Sequence, residues 1–261
     1  MPGGPKPMDN QQRAMLVEQI AVKLRQHYKG RLQALGVYGS LARGTDGPYS
    51  DIDMYCIVDG QGIETCHEWS SGDWKADVDV YSADVALRWA AVLDVDWPIT
   101  HAACLAVKPL EDSQGIFPRM REAALSHSEQ AYKLVMEDVI VGEIYELVGK
   151  LRNAYSLNNS GYMPIFTIEL VRFAACLVGL ANHHLYSSSS RFLEESLTLP
   201  DRPQGYDALC HLGMAGMLES PDVIIKTVDA FWAGVEEWAA QHGLHIEREL
   251  DELLSQADEA D

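Results

Sequence analysis

The chain has 261 residues with 39 acidic and 20 basic side chains, a formal net charge of −19 that repels DNA or RNA on average and favours a cationic ligand. Its five cysteines, Cys56, Cys66, Cys104, Cys176 and Cys210, are odd in number and show no short paired spacing, so neither a disulfide framework nor a zinc site is expected. Residues 1–12 lack the apolar core of a signal peptide and no stretch reads as long and apolar enough to span a bilayer, which together predict a cytoplasmic protein without membrane partners.

In chain order, Asn10–His27 carries Met15, Ile20, Val22 and Leu24 at helical spacing and reads as a first amphipathic helix. Leu32–Tyr38 is a short apolar run ending at Gly39-Ser40, a buried strand entering a tight turn. Asp51–Val58 is a second strand and Trp74–Tyr81 a third, with period-two alternation. Ala83–Leu93 is helical, and another strand is expected within Ala102–Pro109, after Trp97-Pro98 has broken the preceding element. From Arg119 onward only helical patterns remain, over Arg119–Ser156, Pro164–Tyr186, Tyr206–Met217 and Asp222–His242, with separators rich in Gly, Pro, Ser and Asn. The pattern predicts an α+β chain: a mixed-sheet domain over residues 1–118, then an all-α helical bundle over 119–261. The acidic tail, 247–261, is expected to be partly disordered.

The densest chemical signal is Gly36-Val-Tyr-Gly39-Ser40-Leu-Ala-Arg43-Gly44, followed by Ser50-Asp51-Ile-Asp53. Glycine permits a close backbone approach to a phosphate, Ser40 offers a hydroxyl, and Arg43 either pairs with a phosphate or forms a structural ion pair. Asp51 and Asp53, two apart on a strand, share a face and make a hard-oxygen site suited to Mg²⁺. On the third strand Asp77 and Asp79 also share one face, while Ala76, Val78 and Val80 take the other; Asp77 is the preferred third carboxylate and Asp79 the alternative. On the helical pattern further on, Glu143, Glu146 and Lys150 lie at i, i+3 and i+7 on one face, as active-site groups or as a solvated Glu–Lys pair.

The Gly-Ser, spacer, Asp-X-Asp order resembles the polymerase-β-like nucleotidyltransferase superfamily. The resemblance tightens to the kanamycin nucleotidyltransferase family, the aminoglycoside 4'-O-nucleotidyltransferases. It is carried by Thr45-Asp-Gly-Pro-Tyr-Ser-Asp-Ile-Asp53, His67-Glu68-Trp69, Gly72-Asp-Trp-Lys75, Asp96-Trp-Pro-Ile-Thr-His101, Glu146-Leu-Val-Gly-Lys150-Leu-Arg-Asn153, Pro203–Cys210 and Phe231–Trp238, through nearly the whole chain.

The resemblance implies transfer of AMP from ATP to a 4'-hydroxyl of an aminoglycoside. It places Mg²⁺ and the triphosphate on Asp51 and Asp53, with Gly39, Ser40, Arg43, Ser50 and Lys150 binding nucleotide. Glu146 is implied as general base, and Glu68, Lys75, Asp77, Glu143 and Asp79 as lining the drug cleft. The family has Glu where this chain has Asp53, and a relative has Glu at the position of Asp77. A homodimer with shared active sites is also implied, with aminoglycoside and nucleotide as ligands and no nucleic acid.

Two rivals are a nucleotidyltransferase acting on protein or tRNA and a catalytically silent nucleotide-binding module. The acidic charge weighs against tRNA, and the full-length resemblance against a protein target. The intact carboxylate set weighs against silence. His67 and His101, beside Trp69 and Trp97, are read as more often core or turn histidines than drug contacts, and Trp232 and Trp238 as core or interface residues rather than a stacking platform.

Overall fold

The structure, a computed structural model, describes residues 4–247 and 249–250. The tail expected to be disordered therefore lies largely outside the described residues. The chain forms two compact units, Met1–Val92 with Thr100–His127, and Leu93–Ile99 with Ser128–Asp261.

The first unit is built on a mixed sheet. Helix α1 (Asn10–His27) starts with Asp9, whose side chain accepts from the Gln12 amide at 2.8 Å while the Gln12 side chain accepts from the Asp9 amide at 3.0 Å. There follow β1 (Leu32–Val37), the short α2 (Gly39–Arg43), β2 (Ile52–Val58), β3 (Glu64–Ser70), β4 (Lys75–Ser82) and α3 (Ala83–Ala90). The short α4 (Trp97–Thr100) and α5 (Ala102–Leu105) lead to β5 (Lys108–Asp112) and α6 (Ile116–Leu125). Among the described residues the sheet order is β3-β4-β2-β1-β5, with β2 and β4 parallel and the other pairs antiparallel.

Alternation sorts the sheet's side chains between two layers. Leu35, Val37, Ile52, Met54, Cys56, Val78 and Val80 pack on Val17, Ile20, Ala21 and Leu24 of α1. Ala34, Tyr55 and Ile57 pack with Ala86 and Ala90 of α3 and with Ile116, Phe117 and Met120 of α6. The strand expected within Ala102–Pro109 is displaced: Ala102–Leu105 is helical and the strand is Lys108–Asp112. Strand β3, where no element was expected, is an edge strand exposed at every position.

Among its described residues the second unit has helices and no strands. The run Arg119–Ser156, read in the sequence as one helical pattern, is broken: its start is the end of α6, which belongs to the first unit, and the rest is α7 (Glu129–Asp138), a π-helical turn (Val139–Ile144) and α8 (Tyr145–Ser156). Then come α9 (Met163–Ala181), α10 (Phe192–Ser196), α11 (Tyr206–Met214) and α12 (Pro221–His242). Helix α9 is the hub, packed against α7, α8, α10, α11 and α12.

The expectation that no stretch is span-length and apolar needs correcting. Ser160–Ala181 qualifies by length and composition, with a mean hydropathy of 1.8 over an 18-residue window. Its apolar surface goes into the unit itself, where Leu170, Val171 and the run from Ala174 to Leu180 are buried. The segment Leu93–Ile99 belongs to this unit. Trp97 stands edge-on to Tyr132 at 5.4 Å, Asp96 pairs with Arg172, and the Tyr186 amide donates to the Pro98 carbonyl at 2.7 Å.

Candidate active site

The turn after β1 is shaped around one carboxylate. Gly39 has φ +69°, and a Cβ there would sit 2.2 Å from Asp53 Oδ2. Glycine is thus required twice, for the left-handed backbone and for the approach of Asp53. Gly39→Ala should cost about 1–2 kcal/mol from the backbone alone, with more from the displaced carboxylate. We expect a lower melting temperature together with a loss of activity per folded molecule, measured by calorimetry and turnover.

Asp51 precedes β2, Asp53 is its second residue, and Asp77 stands opposite Asp53 in the parallel β2–β4 register. One ligand oxygen from each of the three lies within 4.8 Å of the others. Burial comes first among the causes that push the Asp53 carboxyl up to about 7, followed by the like charges of Asp51, Asp77 and Asp79. Lys75 offsets part of this, its ammonium 3.0 Å from Asp77 and 2.8 Å from Glu68. The second oxygen of Asp77, Oδ1, is buried with no hydrogen-bond partner among the described residues. Crowded hard-oxygen donors, one of them buried and unsatisfied, fit a divalent cation such as Mg²⁺, which would be held by Asp51, Asp53 and Asp77.

Asp79 has other partners. It faces Tyr55 in register rather than Asp53, and its Oδ2 accepts from the Tyr38 hydroxyl at 2.8 Å. Tyr38 stacks on Tyr55 with ring centroids 4.1 Å apart, and its amide donates to the Asp53 carbonyl at 3.0 Å. Asp79 therefore bears on the residue immediately before Gly39-Ser40, and it lies opposite Cys66 on β3, whose thiol is pushed up to about 11 by desolvation first and then by the Asp79 carboxylate. Tyr38 was not singled out in the sequence; its position directly before the Gly-Ser turn was the available signal.

The remaining residues of this unit are placed as follows. Ser50 Oγ accepts from the Gly47 amide at 2.9 Å, closing the turn just before Asp51. Ser40 and Arg43 are half-buried on α2, and the Ser40 carbonyl accepts from the Thr45 amide at 3.0 Å. Glu68 lies on β3 opposite Asp77. His67 is within 3.3 Å of the Tyr28 hydroxyl. His101 is buried, stacked on Trp89 at 4.7 Å and bonded to the Trp89 carbonyl at 3.0 Å, a histidine satisfied in a core.

In the helical unit, Glu146 and Lys150 form an i,i+4 pair on α8, Oε1 to Nζ 2.7 Å, both well exposed. Glu143 lies in the π-helical turn, so the regular i, i+3 geometry expected between it and Glu146 is altered, because a π turn advances less per residue than an α turn. The Lys150 ammonium is held above its ordinary range chiefly by its bond to Glu146, with the fields of Glu169 and Glu143 adding to it. Glu169 on α9 escaped the sequence reading because nothing along the chain links it to α8. Trp232 and Trp238 are buried; Trp238 Nε1 donates to Asp201 Oδ1 at 2.6 Å, and Trp232 stands edge-on to Tyr145.

Comparison with known proteins agrees in both units. Residues 17–88 match the nucleotidyltransferase domain family, and residues 114–245 match the KNTase C-terminal domain family. A protein of Staphylococcus aureus named aminoglycoside nucleotidyltransferase (4') is 34% identical over 244 residues, covering 94% of this chain and 96% of that protein. A protein of the same name from a Bacillus species matches at the same identity and coverage. Among solved structures, a nucleotidyltransferase-like protein from Exiguobacterium sibiricum 255-15 shares the fold with a TM-score of 0.53 at 10% identity, over 86% of this chain and 77% of that one.

Proposed function

From the premise that this chain belongs to the aminoglycoside nucleotidyltransferase (4') family, we propose that it transfers AMP from Mg-ATP to the 4'-hydroxyl of kanamycin-, amikacin- or tobramycin-type aminoglycosides, releasing pyrophosphate. The observation that carries the proposal is the set of three carboxylates, Asp51, Asp53 and Asp77, gathered beside the Gly39-Ser40 turn. Mg²⁺ bound there would neutralise the triphosphate and favour in-line displacement at the α-phosphorus.

The chain's own residues then divide the work. Gly39, Ser40, Arg43 and Ser50 receive the phosphates, and Lys150 adds a positive charge for them. Glu146 takes the proton from the acceptor hydroxyl as general base. Glu68, Asp77, Asp79 and Glu143 offer charge to the acceptor's ammonium groups, with Lys75 setting the geometry of Glu68 and Asp77. A charge-assisted hydrogen bond contributes about 1.5–3 kcal/mol, so several of them hold a polycationic sugar after its ordering costs are met. The reading extends to a cytoplasmic homodimer whose active sites draw on both subunits.

Incubation of the purified protein with ATP, Mg²⁺ and kanamycin or amikacin, followed by product mass and pyrophosphate release, tests the reading. We expect a drug-dependent mass gain of one AMP, and substitution of a 4'-deoxy aminoglycoside should abolish it. ATP binding without acceptor-dependent pyrophosphate release, for any aminoglycoside, would return the chain to a silent nucleotide-binding module. Sedimentation of the protein tests the dimer.

A further inference from the structure

The cluster of three carboxylates is only partly fixed by the sheet. Asp53 and Asp77 are locked opposite each other by the β2–β4 register, but Asp51 lies outside the strands, at the end of the loop that joins α2 to β2. Among the described residues the loop's local bonds are the Gly44 amide to the Leu41 carbonyl, the Thr45 amide and hydroxyl to the Ser40 carbonyl, the Ser50 amide to the Gly47 carbonyl, and the Gly47 amide to Ser50 Oγ. Among the described residues, the N-terminal segment ties the loop to the rest of the unit. The Met8 amide donates to the Pro48 carbonyl at 2.8 Å. Arg13, on α1, donates to Asp46 through Nη1, and through Nη2 to the carbonyls of Gly47 at 2.8 Å and Pro48 at 3.3 Å.

This pair is buried, with the Arg13 side chain 1% exposed and that of Asp46 7%. A buried ion pair is a poor source of stability, since apolar residues of like volume often serve as well or better. Its geometry is specific, however. A guanidinium is a rigid fork that holds a carboxylate on one arm and carbonyls on the other, which an ammonium cannot reproduce. The fork stands on a rigid base, because Val17, Ile20, Ala21 and Leu24 dock α1 on the sheet. We propose that Arg13 is a positioning residue, its guanidinium fixing residues 46–48 so that Ser50 is placed and the Asp51 carboxylate meets Asp53 and Asp77. This rests on the reading of those three as the metal site.

Arg13→Met alone strands the Asp46 carboxylate in the interior and is expected to fold poorly, so the informative protein is R13M/D46L, which replaces both charges with apolar groups. It should fold, with a melting temperature near that of the wild type. Mn²⁺ alone, followed by electron paramagnetic resonance, should bind about tenfold more weakly than to the wild type, the usual scale for loss of a group that orients ligands. The kcat should fall about tenfold with the KM for the aminoglycoside unchanged. Arg13→Lys, which keeps the charge and loses the fork, should fall between the two proteins on both readouts. The proposal is overturned if folded R13M/D46L, or R13K should the double variant not fold, binds Mn²⁺ and turns over like the wild type. If the wild type itself binds no Mn²⁺ while transferring AMP, the metal assignment fails and this inference fails with it. Mn²⁺ binding by a protein that transfers nothing to an aminoglycoside would sink the functional reading and leave the positioning result standing.

Discussion

Asp53→Asn should give a protein more stable than the wild type in the absence of metal at pH 8, and slower by at least about 10³-fold in kcat. Both halves follow from one cause. Asp53 is pressed between burial and the charges of Asp51 and Asp77, so its folded-state carboxyl titrates near 7, against an ordinary 3.8. Between those values the folded protein holds a proton that the unfolded chain has already lost. Its stability therefore falls as pH rises through that window and stays low above it.

Asparagine has the same shape, keeps the space beside Gly39, and carries no charge, so it removes that penalty. After discounting for the solvent that still reaches the group, the gain at pH 8 is roughly 1–2 kcal/mol, or roughly 2–6 °C in melting temperature. At pH 4 the two proteins should melt together. Added Mg²⁺ should raise the melting temperature of the wild type by mass action and leave that of the variant nearly unmoved. The rate loss corresponds to about 4 kcal/mol of transition-state stabilisation, the scale on which a divalent ion acts on a transferring phosphoryl group. Calorimetry at the two pH values with and without Mg²⁺, beside steady-state kinetics, decides the matter. A variant less stable than the wild type at pH 8, or one that keeps its rate, would show that Asp53 is an ordinary structural carboxylate.

Glu146→Gln should lower kcat by about 10²–10⁴-fold, the range for loss of a general base, with little change in the KM for ATP or for the aminoglycoside. The acid limb of the kcat–pH profile should disappear with it. The competing account is a solvated helix pair, since Glu146 Oε1 lies 2.7 Å from Lys150 Nζ on an exposed face. Such a pair contributes only a few tenths of a kcal/mol to a helix, so on that account the substitution would leave kcat intact. Lys150→Met separates the two roles. As a phosphate contact, Lys150 should raise the KM for ATP when removed while the pH profile keeps its shape. If Glu146→Gln shifts only the KM for ATP, Glu146 is orienting Lys150 and the base must be sought elsewhere.

Legibility in the sequence followed burial. Strand β4 was readable because it buries one face and exposes the other, Ala76, Val78 and Val80 inward against Asp77 and Asp79; helix α1 forms over the expected residues, but of the four apolar positions that marked it only Ile20 and Leu24 are buried, Met15 and Val22 being exposed. Strand β3 was invisible because Glu64–Ser70 is exposed at every position, so the polar–apolar pattern that marks a strand never forms. Strand β5, Lys-Pro-Leu-Glu-Asp, is the sheet's other edge and buries no residue fully, and the apolar residues before it drew the expectation toward Ala102–Leu105, which is helical. At the site, alternation alone placed Asp77 and Asp79 on one face. Which of them joins Asp51 and Asp53 depends on cross-strand register, a relation between segments that no single segment encodes. The anchoring of the Asp51 loop was hidden likewise, because Arg13 reads as one more polar position on an amphipathic helix and finds Asp46 only when α1 is docked.

The π-helical turn at Val139–Ile144 also bears on how this chain tolerates changes of length. The buried residues Met136, Ile140, Ile144 and Val148 recur every fourth position, whereas three α-helical turns need only about eleven residues to bring a side chain back to the same face. The surplus of one residue is taken up locally, so α7 and α8 both keep their apolar faces inward, Tyr132 and Met136 on one and Leu147, Val148 and Leu151 on the other. A single-residue deletion at exposed Gly142 would convert the turn to α-helix without rotating either neighbour. The same deletion one turn into α8 would swing everything after it by about 100° and take Lys150 or Leu151 off its face. Helix phase and chain length are uncoupled at this turn, so a chain one residue shorter here keeps Glu146 where it is.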